Sequence, residues 1–429
     1  MSASPLSPPS APTWAVAGRP VVASRFLDTL PADPIAALPE PTGNVSFVSG
    51  GDGLVGWGSY ARLTVSGPDA ADVIARWWAD LCAGFQIDDA VGLSGSGPVV
   101  FVSLAFAPGD ESVAVVPRTV VGSRDGRRFC TTIGGSEALL TPSTPVRTPG
   151  RISYHDGNQP VTEFVAAVGA AVGHIRDGGL RKVVLAHDLI ACTEFPLDER
   201  HLLTRLAAAY PTCWTFAVDG LVGASPEMLL RRHGRKVSSR VLAGTAWPEH
   251  AGEHTAGTVA THLLGSEKDL AEHTYAVDSV AEVLRQVSPD VRVPRTPRAL
   301  PLANLTHLVT DITARLPSER RRSVVSASSA LAQAARLRPT AAVGGTPRAA
   351  ALELIEALEP GSRGRYAAPV GWLDHHGDGE FAIALRCAQI EGDQIRLIAG
   401  CGIVADSDPQ TEAREAQVKM IPIRDALES

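Results

Sequence analysis

Over roughly residues 20–145, apolar and polar positions alternate in short runs, and in later segments they fall more often into helical spacing. Runs such as Val45-Ser46-Phe47-Val48, 60–65, 99–104 and 112–116 are bounded by Gly and Pro, which predicts short strands. One helix interrupts them over 70–81. An Ala/Val-rich helix is expected over 161–177, leading into the strand Lys182-Val183-Val184-Leu185-Ala186. A helix over 199–209 precedes paired strands at 215–218 and 228–230. Val277, Val280, Ala281, Leu284 and Val287 recur at helical spacing and predict one long helix over 257–287. Residues 305–314 alternate as a strand does. Helices follow at 326–336 and 347–358, then strands at 369–374, 380–389 and 394–399. The terminal helix has a clear start, with Asp408 as N-cap and Pro409 at the first helical position. No internal repeat is visible. Many strands with helices at the periphery predict an α+β fold rich in antiparallel sheet.

Composition narrows the classes. The 429 residues are 45% apolar and 20% charged, ordinary for a water-soluble globular chain. A formal net charge of −7 argues against nucleic acid or an anionic membrane as partner, so any anion site must be a local concentration of positive groups. The six cysteines form no Cys-x-x-Cys pair, which fits reduced thiols in a cytoplasmic protein rather than a zinc or disulfide framework. The N-terminus lacks the basic and apolar regions of a signal peptide. Without secretion, the glycosylation patterns at Asn44 and Asn304 go unused. Residues 1–18 read as a disordered arm, 19–148 as a β-rich part and 149–429 as the catalytic region.

Two segments offer paired carboxylates. Gly400-Cys401-Gly402 reads as a tight turn running toward a helix that carries Glu412 and Glu415, and Ser266–His273 opens a helix that carries Asp269 and Glu272. Residues three apart share a helix face, so each pair addresses one point. Two such pairs suit a hard cation such as Mg²⁺, which keeps waters and takes only one or two protein carboxylates.

Other groups have a bland reading beside the functional one. Glu227, between a turn and an apolar strand, is a surface carboxylate or, if desolvated in a cleft, a general acid. Lys182 is an exposed strand end or a buried base. Arg386, inside the apolar run 381–388, needs either a structural carboxylate or a ligand carboxylate. Gly400 and Gly402 form a plain turn or an anion nest beside a helix start. The Gly51-Asp52-Gly53-Leu54-Val55-Gly56 run matches a dinucleotide fingerprint formally, but strand rather than helix follows it, so that reading is dismissed. Arg320-Arg321-Arg322 reads as a solvated loop, and His375-His376 as part of a Gly-rich hairpin.

Taken in order, Lys182-Val183-Val184-Leu185-Ala186, Ser225-Pro226-Glu227, Leu242-Ala243-Gly244-Thr245, Ser266-Glu267-Lys268-Asp269, Glu272-His273, Gly371-Trp372, Gly379-Glu380, Arg386-Cys387 and the tail resemble the chorismate-utilising enzymes, and among them the isochorismate synthases. The resemblance covers about 150–429. It implies a large α/β sandwich of two face-to-face, mainly antiparallel sheets with helices outside. It also implies a Mg²⁺ held by Glu272 and Glu415, with Asp269 and Glu412 in its outer shell. The metal would hold the ring carboxylate of chorismate. Tyr366, Arg386 and the backbone of Gly400, Cys401 and Gly402 would hold the enolpyruvyl carboxylate, with Thr245 and His307 lining the pocket.

The same resemblance assigns Lys182 as the base that activates water toward C2, and Glu227 as the acid that protonates the departing C4 hydroxyl. Relatives that add an amine carry lysine where Ala243 stands here, and anthranilate synthases carry glutamine in place of Lys182. No glutamine amidotransferase subunit is therefore implied, and a monomer is expected. The chain departs from the family at His187, usually arginine, and at Arg338, usually histidine. Rival expectations are a salicylate synthase and a silent chorismate-binding paralogue. Isochorismate could serve menaquinone, siderophore or salicylate formation.

Overall fold

The structure is a computed structural model, described here for residues 18–28, 33–135, 144–246, 256–302, 305–318 and 323–429. Residues 1–17 of the expected arm, Asn304 and the Arg320-Arg321-Arg322 run lie outside the described residues. One ladder of strands branches into two arms at Ser112–Arg124. That strand pairs on one edge with Asp52–Val65 and on the other with Val99–Ser103 and Arg127–Ile133. From Val99–Ser103 the first arm runs through Pro369–Asp374, Gly379–Ile383, Met228–His233 and Lys236–Ala246 to Thr306–Arg315. From Asp52–Val65 the second runs through Val45–Ser49, Trp214–Val218, Leu221–Ser225, Cys387–Glu391 and Gln394–Ile403 to Lys182–Thr193. Strands from the N-terminal part thus enter both arms.

The arms face each other across one core. Phe47 and Phe216 of the second arm and Phe101, Trp372 and Phe381 of the first are buried in a single apolar cluster. This is the expected sandwich, with pairing antiparallel throughout both arms. The helices Glu199–Ala209 and Pro409–Glu428 cover the outer face of the second arm through Leu202, Leu206, Met420 and Ile423. No helix among the described residues is long and apolar enough to cross a membrane.

Local signals explain several boundaries. The Asp408 carboxylate accepts the Thr411 N–H at 2.9 Å and Pro409 follows it, which starts the last helix as expected. Gly50 and Gly51, with φ of 58° and 83°, form the hairpin turn where Ser49 pairs with Asp52, so the formal dinucleotide fingerprint is a β-hairpin. His375-His376 lies in the turn between Pro369–Asp374 and Gly379–Ile383, as expected. Asn44 is buried and donates to Glu40 O and Glu199 Oε2, which leaves its amide no room for a glycan.

Four expectations need correction, the first being that the strands at 215–218 and 228–230 pair not with each other but with Leu221–Ser225 and with Gly379–Ile383 respectively. The single helix over 257–287 is two, Ala256–Gly265 and Glu267–Val287. Ser266 separates them and caps the second by accepting the Asp269 N–H at 3.2 Å. The apolar period runs through both helices and cannot register the break. The strand over 380–389 is interrupted, because Arg386 takes a left-handed φ of 50° between Gly379–Ile383 and Cys387–Glu391. Finally, Gly400-Cys401-Gly402 is neither a turn nor a nest. It is the end of the strand Gln394–Ile403, paired with Val184–Ala186.

Candidate active site

The two arms exchange chain at two crossings, and both deliver a charged side chain. Pro226-Glu227 links Leu221–Ser225 of the second arm to Met228–His233 of the first, and 384–386 links the arms in the reverse direction. The crossings are tied to each other: Ile383 N–H donates to Glu227 O at 3.1 Å and Ala224 N–H to Arg386 O at 3.1 Å. Glu227 and Arg386 therefore emerge side by side where the sandwich opens. A cleft forms there between the strand ends of the two arms.

Of the expected residues, Glu227, Ala243, Gly244, Thr245, Glu272, His307, Tyr366, Arg386, Gly400, Cys401 and Gly402 line this cleft. Lys182 lies behind the lining, fully buried, with Nζ 2.8 Å from Glu272 Oε1. Asp269, Glu412 and Glu415 are set back on the two helices rather than in the lining. The Cys401 thiol contacts Glu412 O at 3.3 Å on the helix side, and burial pushes it well above the usual thiol range, so only its backbone has a role in the cleft.

Glycines make the close approach possible. A Cβ on Gly402 would stand 2.3 Å from Glu272 Oε1 and 2.9 Å from Lys182 Cε, and one on Gly400 would stand 2.3 Å from Leu185 O. The expected result for Gly402→Ala is a loss of about 1–3 kcal/mol from overpacking, measured by urea unfolding. Gly244, at φ 75°, is the bulge that shifts register between Ala243 and Thr245, and its bare Cα lets Asp269 approach. The Ala243 carbonyl beside the bulge accepts from His273 Nδ1 at 3.2 Å, while His273 Nε2 accepts from Thr310 at 2.8 Å. Burial pushes that imidazole down to about 4, so it is a neutral peg seating the helix that carries Glu272.

Charges in the cleft are set by burial first. Desolvation raises the Glu227 carboxyl to about 8 against the opposing pull of the Leu242 N–H, Lys182, Arg386 and Lys419. It is an acid that keeps its proton at neutral pH. Burial would also raise Glu272, but Lys182, by charge and hydrogen bond, outweighs it and holds that carboxylate below the usual range. Arg386 is buried, and among the described residues its guanidinium bonds His307 Nε2 at 3.0 Å and makes no ion pair. A guanidinium only donates, so Nε2 is an acceptor. His307 is then the neutral Nδ1–H tautomer, facing Gly244 O at 3.2 Å and Thr245 Oγ1 at 3.1 Å. Tyr366 is pushed up by burial and stays a phenol.

The four helix carboxylates crowd one another. Burial raises Asp269 and Glu412, and Glu415 raises both further, with Glu272 adding to Asp269, so the group repels itself. Three lysines answer: Lys182 on Glu272, Lys419 on Glu415 at 2.5 Å, and Lys268 on Glu412 at 3.0 Å. Glu412 also accepts from Ser407 at 2.7 Å, so it bonds both a lysine and a serine. No three of His, Cys, Asp and Glu among the described residues converge to hold a metal alone. Sequence reasoning passed over Lys268 and Lys419. Lys419 lines the cleft and donates to Gly400 O at 3.0 Å, and its signal was the four-residue spacing from Glu415.

Comparison with known proteins now bears on this geometry. Residues 136–428 match the family model described as Chorismate binding enzyme. The salicylate biosynthesis isochorismate synthase of Pseudomonas aeruginosa is 36% identical over 371 residues, covering 81% of this chain and 74% of that protein. Isochorismate synthase EntC of Escherichia coli K12 is 38% identical over 266 residues, 60% of this chain and 65% of that protein. The solved structure of MenF, the menaquinone-specific isochorismate synthase from Escherichia coli, superposes with a TM-score of 0.75 at 25% identity, covering 95% of this chain and 94% of that one. The family match takes in every residue that forms the cleft, and the chain belongs to the chorismate-binding enzymes.

Proposed function

We propose that this chain is an isochorismate synthase, converting chorismate to isochorismate with water as nucleophile. The observation that carries the reading is the set of buried Glu227 and Arg386 in the cleft wall, Arg386 making no ion pair among the described residues, with the Lys182 side chain just behind that wall on Glu272. Chorismate carries two carboxylates. Arg386 and Lys419 supply positive groups for the enolpyruvyl carboxylate, with the Tyr366 phenol alongside.

Mg²⁺ bound by Glu272 and Glu415 would neutralise the ring carboxylate and fix its orientation. Lys182 in its amine form takes a proton from water as the oxygen bonds to C2. The ring double bond shifts, the C4–O bond breaks, and Glu227 delivers its proton to the leaving hydroxyl. Water enters and water leaves, so the balance closes. Because water is the nucleophile, no glutamine amidotransferase subunit is required, and Ala243 presents no amine in the cleft. We take the protein to act in the cytoplasm as a monomer.

The test is product analysis by mass spectrometry after incubation with chorismate. Isochorismate that forms with Mg²⁺ and disappears with EDTA supports the reading. Salicylate plus pyruvate as the main products would replace it with a salicylate synthase, and unchanged chorismate with a binding protein.

A further inference from the structure

The edge of the strand that begins at Lys182 is completed by two side chains instead of a neighbouring strand. Gly345–Thr346 covers Val183 and Lys182, and Gly344 O accepts the Val184 N–H at 2.8 Å. Backbone bonding on that edge resumes at Asp188, whose carbonyl accepts the Gly157 N–H at 3.2 Å, with Leu189 opposite Asp156. Within the gap, Arg363 Nη2 donates to Val184 O at 2.6 Å, and Glu359 Oε1 accepts the Ala186 N–H at 2.8 Å. These are the bonds a strand would have made.

The two side chains also hold each other. Arg363 Nε donates to Glu359 Oε2 at 2.8 Å and Nη2 to Oε1 at 2.5 Å, while Nη1 donates to Val343 O at 2.9 Å. Arg363 is 5% exposed and its guanidinium lies 4.4 Å from the Phe106 ring centroid. Val184 and Val343 both line the cleft, so one guanidinium fork fixes two neighbouring pieces of its wall. A buried ion pair is in general no better for stability than apolar packing. The distinctive contribution here is direction, since a fork bonds two separate carbonyls and a carboxylate in one fixed plane.

We propose that Arg363 and Glu359 are positioning residues for catalysis. They stand in for the missing strand and hold Val184–Ala186 in place against Gly400–Gly402, which sets where Lys182 sits behind Gly402. Neither residue lines the cleft beside Glu227 and Arg386, and the inference rests on the isochorismate synthase reading for its kinetic part.

Arg363→Lys keeps the charge and loses the fork. Its kcat on chorismate falls about 10- to 100-fold, the scale of a misplaced catalytic group. KM changes little, because Arg386 and Lys419 are untouched. By hydrogen exchange, the Ala186 amide opens about tenfold faster or more, while amides of 237–241 in the other arm keep their protection. Should Arg363→Lys fail to fold, Glu359→Gln retains an acceptor for Ala186 and keeps more kcat than Glu359→Ala. Wild-type kcat with wild-type exchange at Ala186 overturns the proposal, as does a uniform loss of protection across both arms. If wild-type protein leaves chorismate unchanged, the functional reading fails, and exchange at Ala186 still decides whether the pair holds the strand.

Discussion

Lys182→Ala is expected to lower kcat for chorismate by about 10²–10⁴-fold, the contribution of one positioned acid–base group. The lysine is fully buried behind Gly402 with its amine on Glu272, so no neighbouring side chain can take its place from solvent. Removing one member of a buried pair costs about 3–5 kcal/mol in general. Here Lys419 and Lys268 still act on Glu272 and soften that loss. Circular dichroism and thermal melting establish the folded fraction before rates are compared. Calorimetric titration separates the roles, because the variant keeps Glu272, Glu415 and Arg386 and should still bind Mg²⁺ and chorismate. An unchanged turnover rate in folded Lys182→Ala would remove Lys182 from the mechanism.

Glu227→Gln is expected to lose a comparable factor, about 10²–10⁴-fold, while becoming more resistant to alkaline pH. Glutamine keeps an oxygen for the Leu242 N–H, which reaches Glu227 Oε1 at 3.4 Å, but has no proton to give. In the wild type, turnover that depends on protonated Glu227 declines as pH rises through about 8. Stability follows the same group. Its folded pKa lies above the ordinary 4.5, so the folded state binds the extra proton between those values. The associated stability is complete below about 4.5 and is lost as pH rises through about 8. The variant has no such loss, and its melting temperature should gain on wild type more at pH 9 than at pH 6. A wild-type rate in Glu227→Gln, or an identical pH dependence of melting, contradicts this account.

Much of the architecture was legible because the signals were local. Asp408 with Pro409 announced the last helix, and the helix Glu199–Ala209 was read to the residue. Most of the failures depended on a partner distant in sequence, whereas the break at Ser266 is a local cap hidden by the apolar pattern. Ser266 interrupts an apolar period that continues on both sides of it, and only its hydroxyl bond reveals the break. Arg386 leaves strand geometry because its carbonyl is bonded to Ala224 on another crossing. Gly400 and Gly402 looked like a turn by composition, yet they are glycines because Leu185 O and Glu272 Oε1 occupy the space a Cβ needs. The candidate site was legible as a set of residue types. Its electrostatics were legible only in part, since Lys419 pairs with Glu415 four residues away on one helix whereas Lys268 meets Glu412 across two helices.

The central claim is that the cleft directs water to C2 while the C4 hydroxyl departs, and isotope tracing addresses it directly. Turnover of chorismate by the Mg²⁺-loaded protein in H₂¹⁸O should give isochorismate carrying ¹⁸O in its C2 hydroxyl. Isochorismate formed without label would mean that the hydroxyl migrates within the substrate, and the roles given to Lys182 and Glu227 would be wrong.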